Sequence, residues 1–309
     1  MNTHKDLGVN ERDFPANGSP QDKLEFALKY VALAPTENNW QPWYFRMGEA
    51  HVELMAKSNP AREETDPDRR EFMIGCGSAL WYLKLALRHF GCLGRVNLFP
   101  DLGQPTLIAR VHFGSIRERD ARETRLFKAM TNRRSFDSPL GDPPVTGVML
   151  AVLDHAAAGE RGWVDFVQSE VSRRQVLEVA LAAERPIVQR PRTGFAFGSR
   201  SSDTWGGESE PANPAPISTA TLAVVKTKTD DKHGWLEAGQ TMARTVLQAQ
   251  AMSLPWAFFN PVRRRGAREA LRMGVGHKGF AQVILRFGPL MEHGVTGLAT
   301  TTNAPELFR

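Results

Sequence analysis

The sequence has few cysteines and no long apolar segment, and each of these features excludes some classes of protein. Cys76 and Cys92 are the only two cysteines, without a Cys-x-x-Cys pair or a matching histidine spacing, so neither a disulfide framework nor a zinc site is indicated. The apolar stretch from Ala79 to Phe90 is interrupted by Lys84 and Arg88, and no segment is expected to span a membrane. The polar N-terminus carries no secretory signal. We therefore expect a globular cytoplasmic protein.

Several familiar catalytic motifs are also missing. There is no His-Glu-x-x-His pattern and no Gly-x-Ser-x-Gly elbow, so metal-dependent and serine hydrolase mechanisms lack support. Residues 274–279 match Gly-x-Gly-x-x-Gly, but they follow a predicted helix at Gly266 to Arg272 and precede a strand. A dinucleotide site needs the opposite order, a strand that leads into a helix. We interpret this segment as a loop, in which a ligand contact by His277 or Lys278 stays open.

The charge balance is modestly basic. The net charge is +5 over 309 residues, and basic residues cluster only in Arg185 to Arg200 and in Arg263 to Arg265. A nucleic-acid-binding module is therefore a minor hypothesis, which would require steeply salt-dependent binding. A hydrophobic content of 41% is enough for a sizeable core in one large domain or two ordinary ones.

The spacing of apolar residues predicts an α+β fold. Helical periodicity in the first half is followed by alternating segments typical of strands. The nearly continuous apolar run from Arg70 to Phe90, with small residues that permit close helix contact, predicts a buried central helix. The other elements expected in this half are a helix at Asp22 to Leu33, a hairpin at Trp43 to Arg46 and His51 to Met55, and strands at Arg95 to Phe99 and Thr106 to Phe113.

The second half repeats this order in weaker form. Leu236 to Met252 predicts a second long central helix. We therefore expect two unequal repeats, at residues 1–125 and 126–309. The remaining elements expected here are helices at Val145 to Ala158 and Ser172 to Ala183, and strands at Trp163 to Gln168, Thr219 to Val225 and Ala281 to Phe287.

The segment from Ala34 to Trp43 has the richest binding chemistry. Pro35 and Pro42 restrict the backbone, so its N–H and C=O groups are presented rather than used in a helix. Asn39 and Gln41 can each donate and accept hydrogen bonds, as the pyrimidine edge of a flavin demands. The alternative is ordinary turn chemistry, with Trp43 opening a buried strand.

This loop resembles the Pro-Ser-x-x-Asn-x-Gln-Pro-Trp signature of the FMN-dependent nitroreductase superfamily. Residues 66–71 and 74–80 resemble its Acg-like branch. Thr131 to Phe136 is similar to the second motif of the branch, and Trp235 to Gln240 and Leu285 to Gly288 are similar to later ones. The family motif usually opens with an arginine about where Ala129 or Met130 stands, and Lys128 is a possible substitute.

The resemblance implies a nitroreductase-like fold in which the two repeats form an intramolecular pseudo-dimer with two long central helices. It also implies one FMN per chain at the junction of the repeats. The loop would hold the flavin ring, the arginine motif would hold the phosphate, and a basic residue of the last strand would face the pyrimidine. The residues assigned to these roles are Pro35, Thr36, Asn39, Gln41, Trp43, Thr131, Asn132, Arg133, Arg134 and Arg286.

The activity implied is hydride transfer from NAD(P)H to the flavin and then electron transfer to a small acceptor, in a ping-pong cycle. No protein acid or base is needed, because the flavin carries the chemistry. The alternative is a non-catalytic protein that stores or sequesters FMN beneath a closed lid. Residues 186–216, rich in Pro, Gly, Ser and Arg with isolated aromatics, fit such a lid or a surface loop. We expect a monomer or weak homodimer, with no nucleic acid or membrane partner.

Overall fold

Two compact units make up the chain in the computed structural model, and among the described residues they divide between Thr131 and Val145. The residues that the structure describes are 9–36, 41–57, 66, 68–114, 121–131, 145–158, 161–184, 221–259, 265–276 and 278–288.

The first unit contains a four-stranded antiparallel sheet. Its strands are β1 (Trp43–Met47), β2 (His51–Ala56), β3 (Leu93–Leu98) and β4 (Leu107–Phe113), in the order β1-β2-β4-β3. The predicted hairpin at β1 and β2 is confirmed, and its turn is closed by the N–H of Gly48, which donates to the carbonyl oxygen of His51 over 2.9 Å. The predictions of β3 and β4 are confirmed as well.

Three helices accompany this sheet: α1 (Pro20–Leu28), α2 (Arg70–His89) and α3 (Ala121–Thr131). A capping box between Ser19 and Asp22 starts α1, which continues as a 3₁₀ turn over Lys29–Leu33. The central helix α2 is buried at every position except Glu71 and Arg88, as its apolar run predicted.

The ends of α2 follow from its flanking residues. The carboxylate of Asp66 accepts hydrogen bonds from the backbone N–H groups of Arg70, Glu71 and Phe72 at 2.9 to 3.2 Å, which satisfies the donors that the first turn leaves free. At the other end, Gly91 adopts a φ of 68°, the left-handed conformation that commonly terminates a helix.

The second unit contains another four-stranded antiparallel sheet, β5 (Gly162–Phe166), β6 (Thr221–Thr227), β7 (Trp256–Phe259) and β8 (Phe280–Phe287), in the order β5-β6-β8-β7. Its helices are α4 (Gly147–Ala157), α5 (Glu170–Glu184), α6 (Lys232–Ala251) and α7 (Arg265–Gly274). Part of its core is a buried apolar cluster of Val167, Val176, Leu222, Val224, Leu271, Ala281 and Ile284.

The two units share a topology. In each sheet the first two strands are neighbours, the last two lie in reversed order, and a 20-residue helix, α2 or α6, follows the second strand. The predicted α+β class and both long helices are confirmed. The helix α3 and the strand β7 were not predicted.

The glycine-rich segment from Gly274 to Gly279 lies between α7 and β8, so the helix-to-strand order that excludes a dinucleotide site is confirmed. Lys226 explains its conformation: the fully buried ammonium group donates to the carbonyl oxygens of Val275 and Gly276 at 3.0 and 2.9 Å. Gly279 has a φ of 73°, and a Cβ there would lie 2.4 Å from the ring of Trp163. Gly279 thus serves close packing against Trp163, and His277 lies outside the described residues.

Candidate functional site

The loop singled out in the sequence is attached to the central helix α2. Ser78 donates its hydroxyl hydrogen to the carbonyl oxygen of Pro35 over 2.9 Å. One turn earlier on the same helix, a Cβ on Gly75 would lie 3.1 Å from Cγ of Pro42, so the absence of a side chain lets the loop approach closely. Residues three apart share a helix face, and this face of α2 holds both described ends of the loop.

Backbone contacts fix the loop from its other side. The side-chain amide of Gln41 donates to the carbonyl oxygen of Ala32 over 3.2 Å, at the end of the preceding helical turn. The N–H of Lys57 donates to the carbonyl oxygen of Pro42 over 2.9 Å. Trp43 then starts β1 opposite Ala56 and is 4% exposed. Trp43 is therefore the first residue of a buried strand, as the alternative interpretation of the segment predicted.

Three buried polar atoms of this loop have no hydrogen-bond partner among the described residues. They are Oγ1 of Thr36, Oε1 of Gln41 and Nε1 of Trp43. Most buried polar groups in folded proteins are paired, and each one left unpaired costs about 1 to 3 kcal/mol. A hydroxyl, an amide oxygen acceptor and an indole donor thus lie within one segment of nine residues, and together they suit a ligand that has both N–H and C=O groups.

The amide of Gln41 is more restricted than its sequence suggested. Because one N–H of its amide donates to the carbonyl oxygen of Ala32, the oxygen is the amide atom that has no partner among the described residues. Asn39, the second amide assigned to the flavin ring, lies outside the described residues.

The start of α2 beside this loop contains a cation and a buried thiol. Arg69 adopts a φ of 56°, and its guanidinium lies 4.6 Å from the centre of the Phe72 ring. Cys76 is fully buried, and burial raises the pKa of its thiol well above the usual range despite the nearby charge of Arg69. A thiol that stays protonated is a poor nucleophile, so the prediction that Cys76 is a packing residue is confirmed.

Of the residues assigned to the phosphate, the structure describes only Thr131. It is the last residue of α3, it is exposed, and its hydroxyl donates to the carbonyl oxygen of Lys128 over 3.2 Å. Asn132, Arg133 and Arg134 lie outside the described residues.

Arg286 lies on β8 in the second unit, opposite Leu222 of β6 and Ala257 of β7. It is 5% exposed, and burial lowers the pKa of its guanidinium from the ordinary value. Because that ordinary value is above 12, the side chain keeps its charge at neutral pH. A buried arginine on a central strand is an unusual residue, and its role towards a flavin stays a prediction.

Gly75 and Ser78 are the site residues that sequence reasoning missed. Their signal was the run of small residues in α2, which we interpreted as permitting close contact between helices. At Gly75 the neighbour that approaches is the loop at Pro42 and Trp43 instead. The structure brings Pro35, Thr36, Gln41 and Trp43 together beside these two positions.

Comparison with known proteins bears on the motif resemblance. No family model matches the chain. The protein named "Putative NAD(P)H nitroreductase Rv3131" of Mycobacterium tuberculosis (strain ATCC 25618 / H37Rv) is 28% identical over 316 residues, which cover 93% of this chain and 87% of that protein. The chain is a relative of proteins named as nitroreductases. The resemblance seen in its motifs is thereby confirmed.

Two further relatives from the same strain match about half of the chain. The protein named "Putative NAD(P)H nitroreductase acg" is 26% identical over 150 residues, 48% of this chain and 45% of its own length. "Uncharacterized protein Rv3127" is 26% identical over 163 residues, 52% of this chain and 47% of its own length. Similarity therefore extends over nearly the whole chain for Rv3131 and over about half of it for these two proteins.

Two other kinds of feature are not found in the part of the chain that the structure describes. None of its helices combines the length and the apolar character needed to cross a membrane. Within the same residues, no group of three or more His, Cys, Asp or Glu side chains could hold a metal ion.

Proposed function

We propose that this nitroreductase relative is an FMN-dependent NAD(P)H oxidoreductase, and that the loop from Pro35 to Trp43 binds the flavin ring. The observation that carries the proposal is the set of three buried polar atoms without partners on Thr36, Gln41 and Trp43. They occur in the segment that carries the flavin signature, and that segment is fixed to α2 through Pro35 and Pro42.

The chemistry of these atoms fits an isoalloxazine edge. Its ring N–H can donate to the Gln41 oxygen, and its carbonyl oxygens can accept from the Thr36 hydroxyl and the Trp43 indole. Asn39 adds a second amide to the same segment. The described ends of the loop are held against α2 at Pro35 and Pro42, and groups that are positioned before binding lose little entropy when a ligand binds.

The phosphate is assigned to the segment of Thr131, Asn132, Arg133 and Arg134, because guanidinium groups bind phosphate oxygens in a two-pronged fork. Arg286 is assigned to the pyrimidine end of the ring, where a positive charge favours the anionic reduced form. FMN, when bound, supplies hydride acceptance from NAD(P)H and electron donation to a small acceptor. The protein residues bind and orient, and none is assigned as an acid or base.

We further propose that the two units are fused repeats, an intramolecular pseudo-dimer that binds one FMN per chain. Support comes from the strand order that both sheets share and from the equal lengths of α2 and α6. Only the first repeat has the flavin-ring loop, and only the second begins near the arginine motif, so a single flavin per chain is expected. A monomer or weak homodimer follows, and the cytoplasmic location and the absence of nucleic-acid binding stay predictions.

The competing proposal is a protein that stores or sequesters FMN without turnover. It rests on the resemblance of residues 66–71 and 74–80 to the Acg-like branch. In that proposal residues 186–216, which lie outside the described residues, close over the flavin and exclude nicotinamide.

Anaerobic stopped-flow reduction separates the two proposals. The flavin-loaded protein is mixed with NADPH or NADH, and the absorbance of bound flavin is followed. Bleaching within seconds, followed by reoxidation on adding an electron acceptor such as a nitroaromatic or a quinone, supports the enzyme. Bound flavin that is not bleached over minutes supports storage and overturns the oxidoreductase proposal.

A further inference from the structure

The first sheet has a polar face that the flavin proposal does not use. On β2, Val52 and Leu54 are fully buried on one side of the sheet, and His51 and Glu53 alternate with them on the other. We call this second side, with its neighbours on β1, β3 and β4, the basic sheet face. It comprises Arg46, His51, Glu53, Arg95, Arg110 and His112.

Strand register brings these side chains together. Glu53 lies directly opposite Arg46 on one neighbouring strand and Arg110 on the other. His51 lies opposite His112, and their ring centres are 5.8 Å apart. Side chains directly opposite each other in an antiparallel pair are in contact range.

The charges on this face do not balance. The carboxylate of Glu53 accepts from Nε of Arg46 at 2.6 Å and from Nε and Nη2 of Arg110 at 2.9 and 2.7 Å. It is the one carboxylate among these residues and is 3% exposed. Since Arg95 adds a third guanidinium, the face carries two positive charges more than it has negative ones.

His112 interacts electrostatically with several of these side chains. Burial lowers the pKa of its imidazole, and the charges of Arg95, His51 and Arg110 lower it further. Its Nε2 is buried and has no hydrogen-bond partner among the described residues. A buried ring nitrogen that has no described partner and interacts electrostatically with Arg95 and Arg110 is the environment that a bound anion would relieve.

We propose that the basic sheet face binds a small oxyanion, a phosphate or carboxylate group, through Arg95, Arg110 and His112. Guanidinium groups match both kinds of oxyanion with paired N–H donors. The anion neutralises the excess charge and provides an acceptor for Nε2–H of His112. This site is independent of the flavin proposal, because its residues project from the side of the sheet opposite to Val52 and Leu54.

The test is an NMR titration of the histidine ring signals in the purified full-length protein, with inorganic phosphate and with acetate at constant ionic strength and pH 7. The signal of His112 is assigned by its absence in His112→Gln. We expect a saturable shift of the His112 signal and a higher His112 pKa in the presence of the bound anion, because a nearby negative charge favours the imidazolium form.

Arg95→Gln removes one guanidinium from an exposed position of an edge strand. The fold is expected to survive this change, and thermal unfolding followed by circular dichroism checks that it does. The apparent affinity should fall about tenfold, the typical value of one charge-assisted hydrogen bond. Arg174→Gln is the matched control, because it removes an exposed arginine from α5 in the other unit and should leave the titration unchanged.

The two probes separate the sources of the anion. Saturation by phosphate alone identifies a phosphate group as the ligand, and saturation by acetate alone identifies a carboxylate. The proposal is overturned if neither probe gives a saturable shift of His112, or if Arg95→Gln and the unchanged protein bind equally well. Phosphate that binds elsewhere, including a flavin phosphate site, would not depend on Arg95.

Discussion

Ser78 donates its hydroxyl hydrogen to the carbonyl oxygen of Pro35 over 2.9 Å, across 43 positions of the chain. This bond connects the central helix of the first unit to the start of the proposed flavin loop. The position of the loop is therefore set by α2 and not by local turn chemistry alone. Through α2 the loop also depends on Asp66, whose carboxylate starts that helix.

Ser78→Ala should lower both stability and flavin retention. It leaves the buried carbonyl of Pro35 without its donor, which costs about 1 to 3 kcal/mol. Urea unfolding gives the free energy, and the absorbance ratio of flavin to protein after gel filtration gives retention. Thr245→Val is the control, because it removes a buried hydroxyl from the other long helix and should leave flavin content unchanged. Equal flavin content in both variants would contradict this role of Ser78.

Thr36→Val should separate stability from binding. Since the Thr36 hydroxyl is buried without a partner in the described structure, replacing it with a methyl group should stabilise the flavin-free protein by about 1 kcal/mol. Flavin affinity should fall at the same time, because a donor to the ring is lost. Thr241→Val, at another buried hydroxyl without a described partner, should give the stabilisation without the affinity loss. Unchanged affinity in Thr36→Val would argue against Thr36 as a ligand.

Asn39→Ala and Arg134→Ala test the two segments assigned to FMN. Asn39→Ala should weaken retention of both FMN and riboflavin, since it acts on the ring edge. Arg134→Ala should weaken FMN retention but not riboflavin binding, because only FMN carries the phosphate. Equilibrium titration by flavin fluorescence measures both affinities. Undiminished FMN affinity in both variants would mean that the site is elsewhere.

Much of the fold could be predicted from the sequence, because long periodic segments identify their own structure. The buried run of α2 and the hairpin of β1 and β2 are examples. The strand β7 was missed because its four apolar residues, Trp256–Phe259, have no distinguishing period. The helix α3 was not predicted because its buried apolar residues, Leu126, Phe127, Ala129 and Met130, all lie in its second half and span too few turns to show a helical period.

The site was predicted less completely than the fold. Its residue types were visible in the motif, but its contacts were not. The bond from Ser78 to Pro35 joins distant positions, and the packing of Gly75 against Pro42 depends on tertiary structure. The amide of Gln41 likewise donates to the carbonyl oxygen of Ala32 and keeps an oxygen without a described partner. No local sequence pattern indicates this arrangement.

The Glu53 carboxylate should make the free energy of unfolding depend on pH in the acidic range. Burial alone would raise the pKa of this carboxyl, but hydrogen bonds from Arg110 and Arg46 outweigh burial and hold the pKa below its ordinary value. A depressed folded-state pKa means that the stabilisation is complete above the unfolded-state value of about 4.3 and is lost as pH falls through the folded-state value.

The comparison that checks this is urea unfolding of the unchanged protein and of Glu53→Gln from pH 7 to pH 3.5. The stability difference between them should be constant down to about pH 4.3 and shrink below it. Glu49→Gln, an exposed position of the same hairpin turn, should show no such difference. A difference for Glu53→Gln that does not change with pH would refute the assignment.

Lys226→Met should destabilise the second unit. It leaves the carbonyls of Val275 and Gly276 without their donor and the carboxylate of Asp165 without the ammonium group 2.9 Å away. The expected loss is about 1 to 3 kcal/mol, the cost of leaving hydrogen-bonding groups without their partner, and it is measurable by urea unfolding. Lys228→Met, exposed two positions later, should change stability by less than about 0.5 kcal/mol. Similar losses in both variants would show that Lys226 does not hold the glycine-rich segment.

The measurement that tests the central claim most directly is the visible spectrum of the purified protein, with chromatography of the compound that heat releases from it. A flavin absorption band and about one released FMN per chain are the predicted result. A colourless protein that also fails to take up added FMN would contradict the claim, because the loop beside Gly75 and Ser78 would then not be a flavin site.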